Sequence, residues 1–236
     1  MPYNKAQAGR QFERWSGNYD RSILQWLLFG PSHRAMLERM RSPLADRPST
    51  VLDVGCGTGV FAALVRSAFP LATIWGVDLV AAMLSKGREH RPSPPGRVAL
   101  VQGDSERLPF PAAAFDVVTC SNSFHHYPDQ GQAVAEMHRV LKPGGRLLLI
   151  DGCRDGWWGW LIYDVCVAGV EGDVLHASAR RVRDLFQRAG FIETTQRVHR
   201  GPAPFLLTEG VVPAACPTSE VRQFARSLPG REVEIR

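Results

Sequence analysis

The chain has 236 residues, 44% of them hydrophobic and 22% charged, with a formal net charge of +5. That suits one α/β domain with additions, or at most two small domains, and it is enough to bury a sizeable core. The cations are scattered rather than gathered into a basic stripe, which argues against a nucleic-acid partner.

Taken in chain order, Met1–Arg10 is polar and lacks the apolar core of a signal peptide. Residues 9–41 read as helical, with Ile23, Leu24, Leu27, Leu28, Met36, Leu37 and Met40 near helical spacing and Gly30-Pro31 breaking the run. A connector, 42–49, precedes a regular alternation. Thr50–Val54 reads as a buried strand, Val60–Phe69 as a helix closed by Pro70, Ala72–Val77 as a strand and Val80–Glu89 as a helix. After a proline-rich loop come strands Val98–Gln102 and Phe115–Cys120, a helix Gln130–Leu141, the sharp turn Lys142-Pro143-Gly144-Gly145, and a fifth strand, Arg146–Ile150. Strands apolar on both faces, alternating with helices, predict a mostly parallel sheet covered on both sides.

Beyond Asp151 the pattern loosens into an insertion, 153–177, carrying Trp157, Trp158, Trp160 and Tyr163. A helix, Ala179–Ala189, ends at Gly190, and strands Ile192–Val198 and Phe205–Val212 are joined closely enough for an antiparallel hairpin. The domain division that follows is an N-terminal helical cap (1–48), a ligand-binding domain (49–213) with a lid insertion (153–177), and a tail (214–236). Trp157–Val170 is too short to span a bilayer. Cys56, Cys120, Cys153, Cys166 and Cys216 contain no CxxC spacing, so neither a zinc site nor a disulfide framework is expected, and the compartment implied is the reducing cytoplasm.

The sharpest motif is Val51-Leu52-Asp53-Val54-Gly55-Cys56-Gly57-Thr58-Gly59. Glycines at alternate positions after a buried strand let the backbone turn tightly, and the next helix aims its unpaired N–H groups at whatever lies there. A dinucleotide fingerprint would place its third glycine at position 60, which is Val60, so the GxGxG spacing disfavours a pyrophosphate cradle. Asp78 closes the second strand about twenty residues later, where a carboxylate accepts both hydroxyls of a ribose; the alternative is a helix N-cap. Asp104 follows the third strand, where its carboxylate would accept from an adenine amino group while the Ser105 N–H meets a ring nitrogen; the alternative is an Asx turn. All three strand ends fall on the carboxyl edge of the sheet, the ligand edge of open α/β folds.

These motifs, with GVD at 76–78, GDSERLPF at 103–110, FDVVTCSNSFHH at 115–126 and RVLKPGGRLLLID at 139–151, resemble the class I S-adenosylmethionine-dependent methyltransferases. Within them the chain is similar to the branch of ubiquinone and menaquinone C-methyltransferases, strongly over 50–151 and more loosely through 182–212. The resemblance implies a Rossmann-like, doubly wound, seven-stranded α/β sheet, mostly parallel with an antiparallel last strand. It implies S-adenosyl-L-methionine as cofactor. By position, Asp53, Gly55, Gly57 and Thr58 would line its methionine part, Asp78 its ribose, Asp104 and Ser105 its adenine, and Ser121 the region of the sulfonium. Tyr19 resembles an N-terminal aromatic that folds over the cofactor.

The reaction implied is in-line transfer of a methyl group to a small, apolar or aromatic acceptor, in which the protein positions the reactants and excludes water. His125 and His126, just after the fourth strand, are the candidate general bases, or else residues of the cofactor's edge. His138, on a helix, reads as a surface or packing residue. Trp157–Val170 and Ile23–Phe29 are the expected acceptor walls, the alternative being a packed helical lid without selectivity, and weak contact with a membrane surface is compatible with them. Phe124-His125-His126 differs from the basic and polar residues that quinone methyltransferases carry there, and Asn122-Ser123-Phe124 lacks the prolines of nucleobase-amine methyltransferases. Two other readings stay open: a non-catalytic cofactor-binding regulator and a nicotinamide-dependent oxidoreductase.

Overall fold

The computed structural model describes residues 23–44, 47–90, 98–167, 174–201 and 203–214. The runs rich in Val, Leu and Ile become β1 (Ser49–Val54), β2 (Ala72–Asp78), β3 (Val98–Gln102), β4 (Phe115–Ser121), β5 (Leu141–Gly152), β6 (Ile192–His199) and β7 (Phe205–Val211). Their order in the sheet is β3-β2-β1-β4-β5-β7-β6. β1 through β5 pair in parallel, whereas β7 runs antiparallel to both β5 and β6. The expected α/β architecture with a reversed last strand is the one observed. Strand order reverses between β1 and β4, so the crevice beyond their carboxyl ends is the topological switch point.

Helices α1 (Ile23–Leu44), α2 (Val60–Ala68), α3 (Ala81–His90), α4 (Gln130–Val140), α5 (Trp157–Trp160) and α6 (Ala179–Ala189) flank the sheet. Alternation along the strands splits the core into two. On one face Met36, Met40 and Leu44 of α1 and Phe61, Ala62 and Val65 of α2 pack on Val51, Ile74, Val117, Leu148 and Ile150. On the other, Val134, Met137 and Val140 of α4 and Val182 and Phe186 of α6 pack on Leu52, Val54, Val118 and Leu149. Each fully buried aliphatic side chain contributes about 1.5–3 kcal/mol.

Local chemistry sets the element ends. The Asp129 side chain accepts the Gln132 N–H at 2.9 Å to start α4, and Ser178 accepts the Arg181 N–H at 3.2 Å to start α6. Gly190, at φ +96°, ends α6 in the left-handed region. At Lys142–Gly145 the strand bulges, so that Phe115 pairs with Leu141 but Val117 with Arg146.

One expectation fails. Gly30-Pro31 does not break the N-terminal helix, which runs unbroken from Ile23 to Leu44 with Pro31 and Pro43 inside it. Proline removes one backbone donor. The helix survives because Met36, Met40 and Leu44 bury its later turns and Arg39 Nε donates to Glu209 of β7 at 2.8 Å. The Ser32 hydroxyl also donates to the Phe29 carbonyl at 2.8 Å.

Candidate active site

The glycine turn after β1 is lashed to β2. The N–H groups of Gly55 and Cys56 both donate to the Val77 carbonyl, at 2.8 and 3.1 Å. Asp78 closes the loop: Oδ2 accepts the Gly57 N–H at 2.7 Å and Oδ1 the Val80 N–H at 2.9 Å. Both the helix-start role and the strand-end position expected of it are therefore real, and the carboxylate keeps a lone pair for a ligand hydroxyl. Gly55, Gly57 and Gly59 all have positive φ, between +55° and +74°. A Cβ on Gly57 would meet only Met83 Cε, at 3.8 Å, so the backbone there borders open space.

Asp53 and Thr58 are almost fully buried, each 2% exposed. The Thr119 hydroxyl donates to Asp53 Oδ1 at 2.8 Å. Burial pushes the Asp53 carboxyl up to about 7; the Thr119 bond opposes this and the neighbouring Asp78 carboxyl adds to it. Burial raises Asp78 as well, against the N–H bonds it accepts. Two carboxyls side by side on adjacent strand ends form a site that gains from a cation.

Asp104 follows β3, and its Oδ1 accepts the Glu106 N–H at 3.0 Å while its carbonyl accepts the Arg107 N–H at 3.0 Å. The Asx turn is thus what holds Asp104 and Ser105 at the edge of the sheet. Ser121 ends β4, half-buried, and its Oγ accepts from Asn122 Nδ2 at 3.1 Å. That amide also donates to Ser32 Oγ at 3.1 Å, tying α1 to the end of β4. Tyr19 lies outside the described residues, as do the side chains of 23–28 in the expected N-terminal wall.

His125 and His126 form a 3-10 turn after β4. Across from them, at the end of β5, stands Asp151, a residue that motif reading gave no role. Its Oδ2 accepts the His125 backbone N–H at 2.8 Å, and its Oδ1 lies 2.6 Å from His125 Nδ1. Both residues are buried, at 8% exposure. Burial pushes the Asp151 carboxyl up, but the His125 imidazole and its hydrogen bond outweigh this and hold it below the usual carboxylate range. A carboxylate on Nδ1 fixes the tautomer in which Nε2 is the basic nitrogen. The His126 ring is 4.0 Å from that of His125, and burial, then the His125 charge, depresses its pKa well below the ordinary value. The two adjacent histidines therefore differ: one is seated on a carboxylate, the other is kept neutral. His138 packs edge-on against Phe191 at 4.8 Å, as expected of a packing residue.

His176, also missed in the sequence, returns from the lid to stack on His125 at 4.5 Å and 19°. The Leu175 N–H donates to the His125 carbonyl at 2.8 Å, so lid and histidine turn are hydrogen-bonded together. Tyr163, on the π-helical segment Leu161–Val167, lies flat over Gly152, where a Cβ would come within 2.5 Å of its ring. Tyr163 and His176 are thus the lid aromatics that turn inward. Trp157 and Trp160, expected as acceptor walls, are 76% and 52% exposed. His125, Asp151 and His176 bring three ligand atoms within 4.8 Å of one another. However, two near-parallel stacked imidazoles aim their lone pairs along separate planes, and Asp151 Oδ1 also accepts the Gly152 N–H at 2.7 Å. The cluster is built as a hydrogen-bonded dyad.

A family model described as a methyltransferase domain matches residues 52–149. The demethylmenaquinone methyltransferase of Listeria monocytogenes is 32% identical over 216 residues, 81% of this chain and 90% of that protein. The chain belongs to the S-adenosylmethionine-dependent methyltransferases. The methyltransferase is also 44% identical over 108 residues to the demethylmenaquinone methyltransferase of Deinococcus radiodurans, a match spanning 46% of this chain and 45% of that one. Its fold matches a solved S-adenosylmethionine-dependent methyltransferase of Thermotoga maritima with a TM-score of 0.68 and 21% identity, over 86% of this chain and 99% of that one. No helix among the described residues is long and apolar enough to cross a membrane.

Proposed function

We propose that this methyltransferase moves a methyl group from S-adenosylmethionine to a small aromatic acceptor bearing an acidic hydroxyl, a phenol or hydroquinone, held between His125 and the inward face of the lid. The observation that carries this reading is the buried His125–Asp151 pair at the switch point of the sheet. When bound, the cofactor supplies a methyl carbon on a sulfonium, which departs as a neutral thioether. Gly55 and Gly57 with Asp53, Thr58 and Ser121 would hold its methionine end, Asp78 its ribose, and Asp104 and Ser105 its adenine. His125 Nε2 would take the acceptor's hydroxyl proton, leaving a phenolate that can accept a methyl group on oxygen, or on a ring carbon that then gives up its own proton. Asp151 stabilises the imidazolium so formed. Tyr163 and His176 keep water from the dyad. The Listeria and Deinococcus relatives are named for demethylmenaquinone, a quinone whose reduced form is a hydroquinone.

Two measurements test this. With methyl-labelled cofactor, the chain is expected to label phenols or hydroquinones, read by mass analysis; label appearing only on aliphatic amines or carboxylates would exclude the acceptor class. Cofactor affinity should also depend on pH. Asp53, titrating near 7, passes from protonated to ionised across roughly pH 6–8. Because a cation favours the ionised carboxylate, binding should tighten as pH rises through 7, release a proton below it, and level off above. Calorimetry in buffers of different ionisation enthalpy reads that proton, and Asp53→Asn should flatten the profile. A flat profile in the unsubstituted chain would separate Asp53 from the bound cation.

A further inference from the structure

The start of the lid presents an aromatic surface to solvent. Trp157, Trp158 and Trp160 share one helical turn and are 76%, 43% and 52% exposed, with the first two rings packed edge-to-face at 5.4 Å. Single exposed apolar residues are ordinary, but two packed indoles with a third on the same turn are not. Beside it lies a basic surface. The Ala179 N–H donates to Asp155 Oδ2 at 2.9 Å, and Arg154 Nη1 donates to the His176 carbonyl at 3.3 Å, which brings the first turn of α6 against the start of the aromatic helix.

That first turn of α6 carries Arg180 and Arg181, with Arg183 next on the helix, all exposed, and no acidic residue. The N-terminal end of a helix carries a partial positive charge that disfavours cations. Arginines placed there weaken the helix they sit on, and Ser178 and Asp155 supply the capping that offsets them. A negatively charged surface outside the molecule would account for their position. Indoles beside guanidinium groups match the boundary of an anionic bilayer, where the ring sits at headgroup depth and the cation meets phosphate.

We propose that this face docks the methyltransferase onto an anionic phospholipid surface, with Trp157, Trp158 and Trp160 seated among the headgroups and Arg180, Arg181 and Arg183 on their phosphates. The inference deepens the proposed function, on which it rests for its purpose: a lipophilic aromatic acceptor resides in the bilayer, and the lid that meets that bilayer is the one hydrogen-bonded to the His125 turn.

The test is co-sedimentation of the full chain with phosphatidylcholine vesicles with and without phosphatidylglycerol, read without any acceptor. Binding is expected to require phosphatidylglycerol. Neutralising Arg180, Arg181 and Arg183 together to Gln should weaken it about a hundred-fold, some five-fold per charge. The pair Trp157→Ser and Trp160→Ser should weaken it at least about ten-fold. Circular dichroism establishes that each variant is folded, and the arginine variant should keep its turnover on a water-soluble acceptor. No vesicle binding, binding equal with and without phosphatidylglycerol, or a self-association lost on removing the tryptophans would each overturn the proposal, the last by assigning the patch to a second copy of the chain. A chain that methylates a soluble phenol but ignores vesicles loses this surface and keeps the reaction. One that binds vesicles and methylates no aromatic acceptor keeps the surface and loses the reaction.

Discussion

His125→Ala is expected to lower turnover by about 10²–10⁴-fold, the range over which a positioned general base contributes, while cofactor affinity stays unchanged. The expectation is specific to His125. Asp151 accepts both its backbone N–H and its Nδ1–H, so the ring is held in one orientation and one tautomer. Asp151→Asn should lose nearly as much, because a carboxamide keeps one acceptor oxygen where the His125 N–H, the His125 Nδ1–H and the Gly152 N–H share two, and the ring then turns or changes tautomer. Burial, then the neighbouring His125, holds the His126 pKa well below its ordinary value and makes it a poor proton acceptor, so His126→Ala should cost far less. The loss should fall on kcat rather than on KM, since the proton moves only as the acceptor reacts. Single-turnover rates with the same phenolic acceptor would check this. If His125→Ala and Asp151→Asn both turn over within a few-fold of the unsubstituted chain, the dyad has no part in the chemistry.

The glycine-turn half of this candidate site was legible in the sequence and the histidine half was not, for a physical reason. Gly55, Gly57 and Asp78 announce themselves locally: a buried β-branched run, glycines where φ must be positive, and an acid at the end of the next strand. Their partners lie on adjacent strands in simple succession. Asp151 is 26 residues from His125, and only the β4–β5 register, Ser121 opposite Ile150, places the two side by side. A reader holding that register could have found the pair, because the turn carrying His125 follows β4 as Asp151 follows Ile150. His176 had no local signal, since it arrives on the return from a lid whose path no periodicity dictates. The tryptophans misled for a related reason. Helical spacing tells which residues share a turn, but not whether that turn faces the protein or the solvent. The unbroken helix through Gly30-Pro31 makes the same point about propensity, which tertiary burial of Met36 and Met40 overrides.

Gly55→Ala is expected to destabilise the fold by about 2–5 kcal/mol and to abolish cofactor binding at ordinary concentrations. Two costs add. At φ +72° an L side chain is strained, and the new Cβ would overlap Ser123 Oγ and come within 2.6 Å of both Ser123 Cβ and Tyr127 OH. Neither neighbour can yield cheaply. Ser123 Oγ bonds to the Val54 carbonyl at 3.2 Å and to Tyr127 OH at 3.0 Å, and Tyr127 is buried edge-on against Phe124. Gly57→Ala provides the contrast, because its Cβ would meet only Met83 Cε at 3.8 Å and would project into the space assigned to the cofactor. It should cost about 1–2 kcal/mol of stability, from the left-handed backbone alone, yet still weaken cofactor binding. Tyr127→Phe combined with Gly55→Ala should recover part of the lost stability by removing one of the overlapping atoms. Urea midpoints and cofactor titrations on the three variants separate the cases. Equal midpoints for Gly55→Ala and Gly57→Ala would mean that the Ser123–Tyr127 wall gives way, and that the turn is shaped by backbone conformation rather than by the side chains behind it.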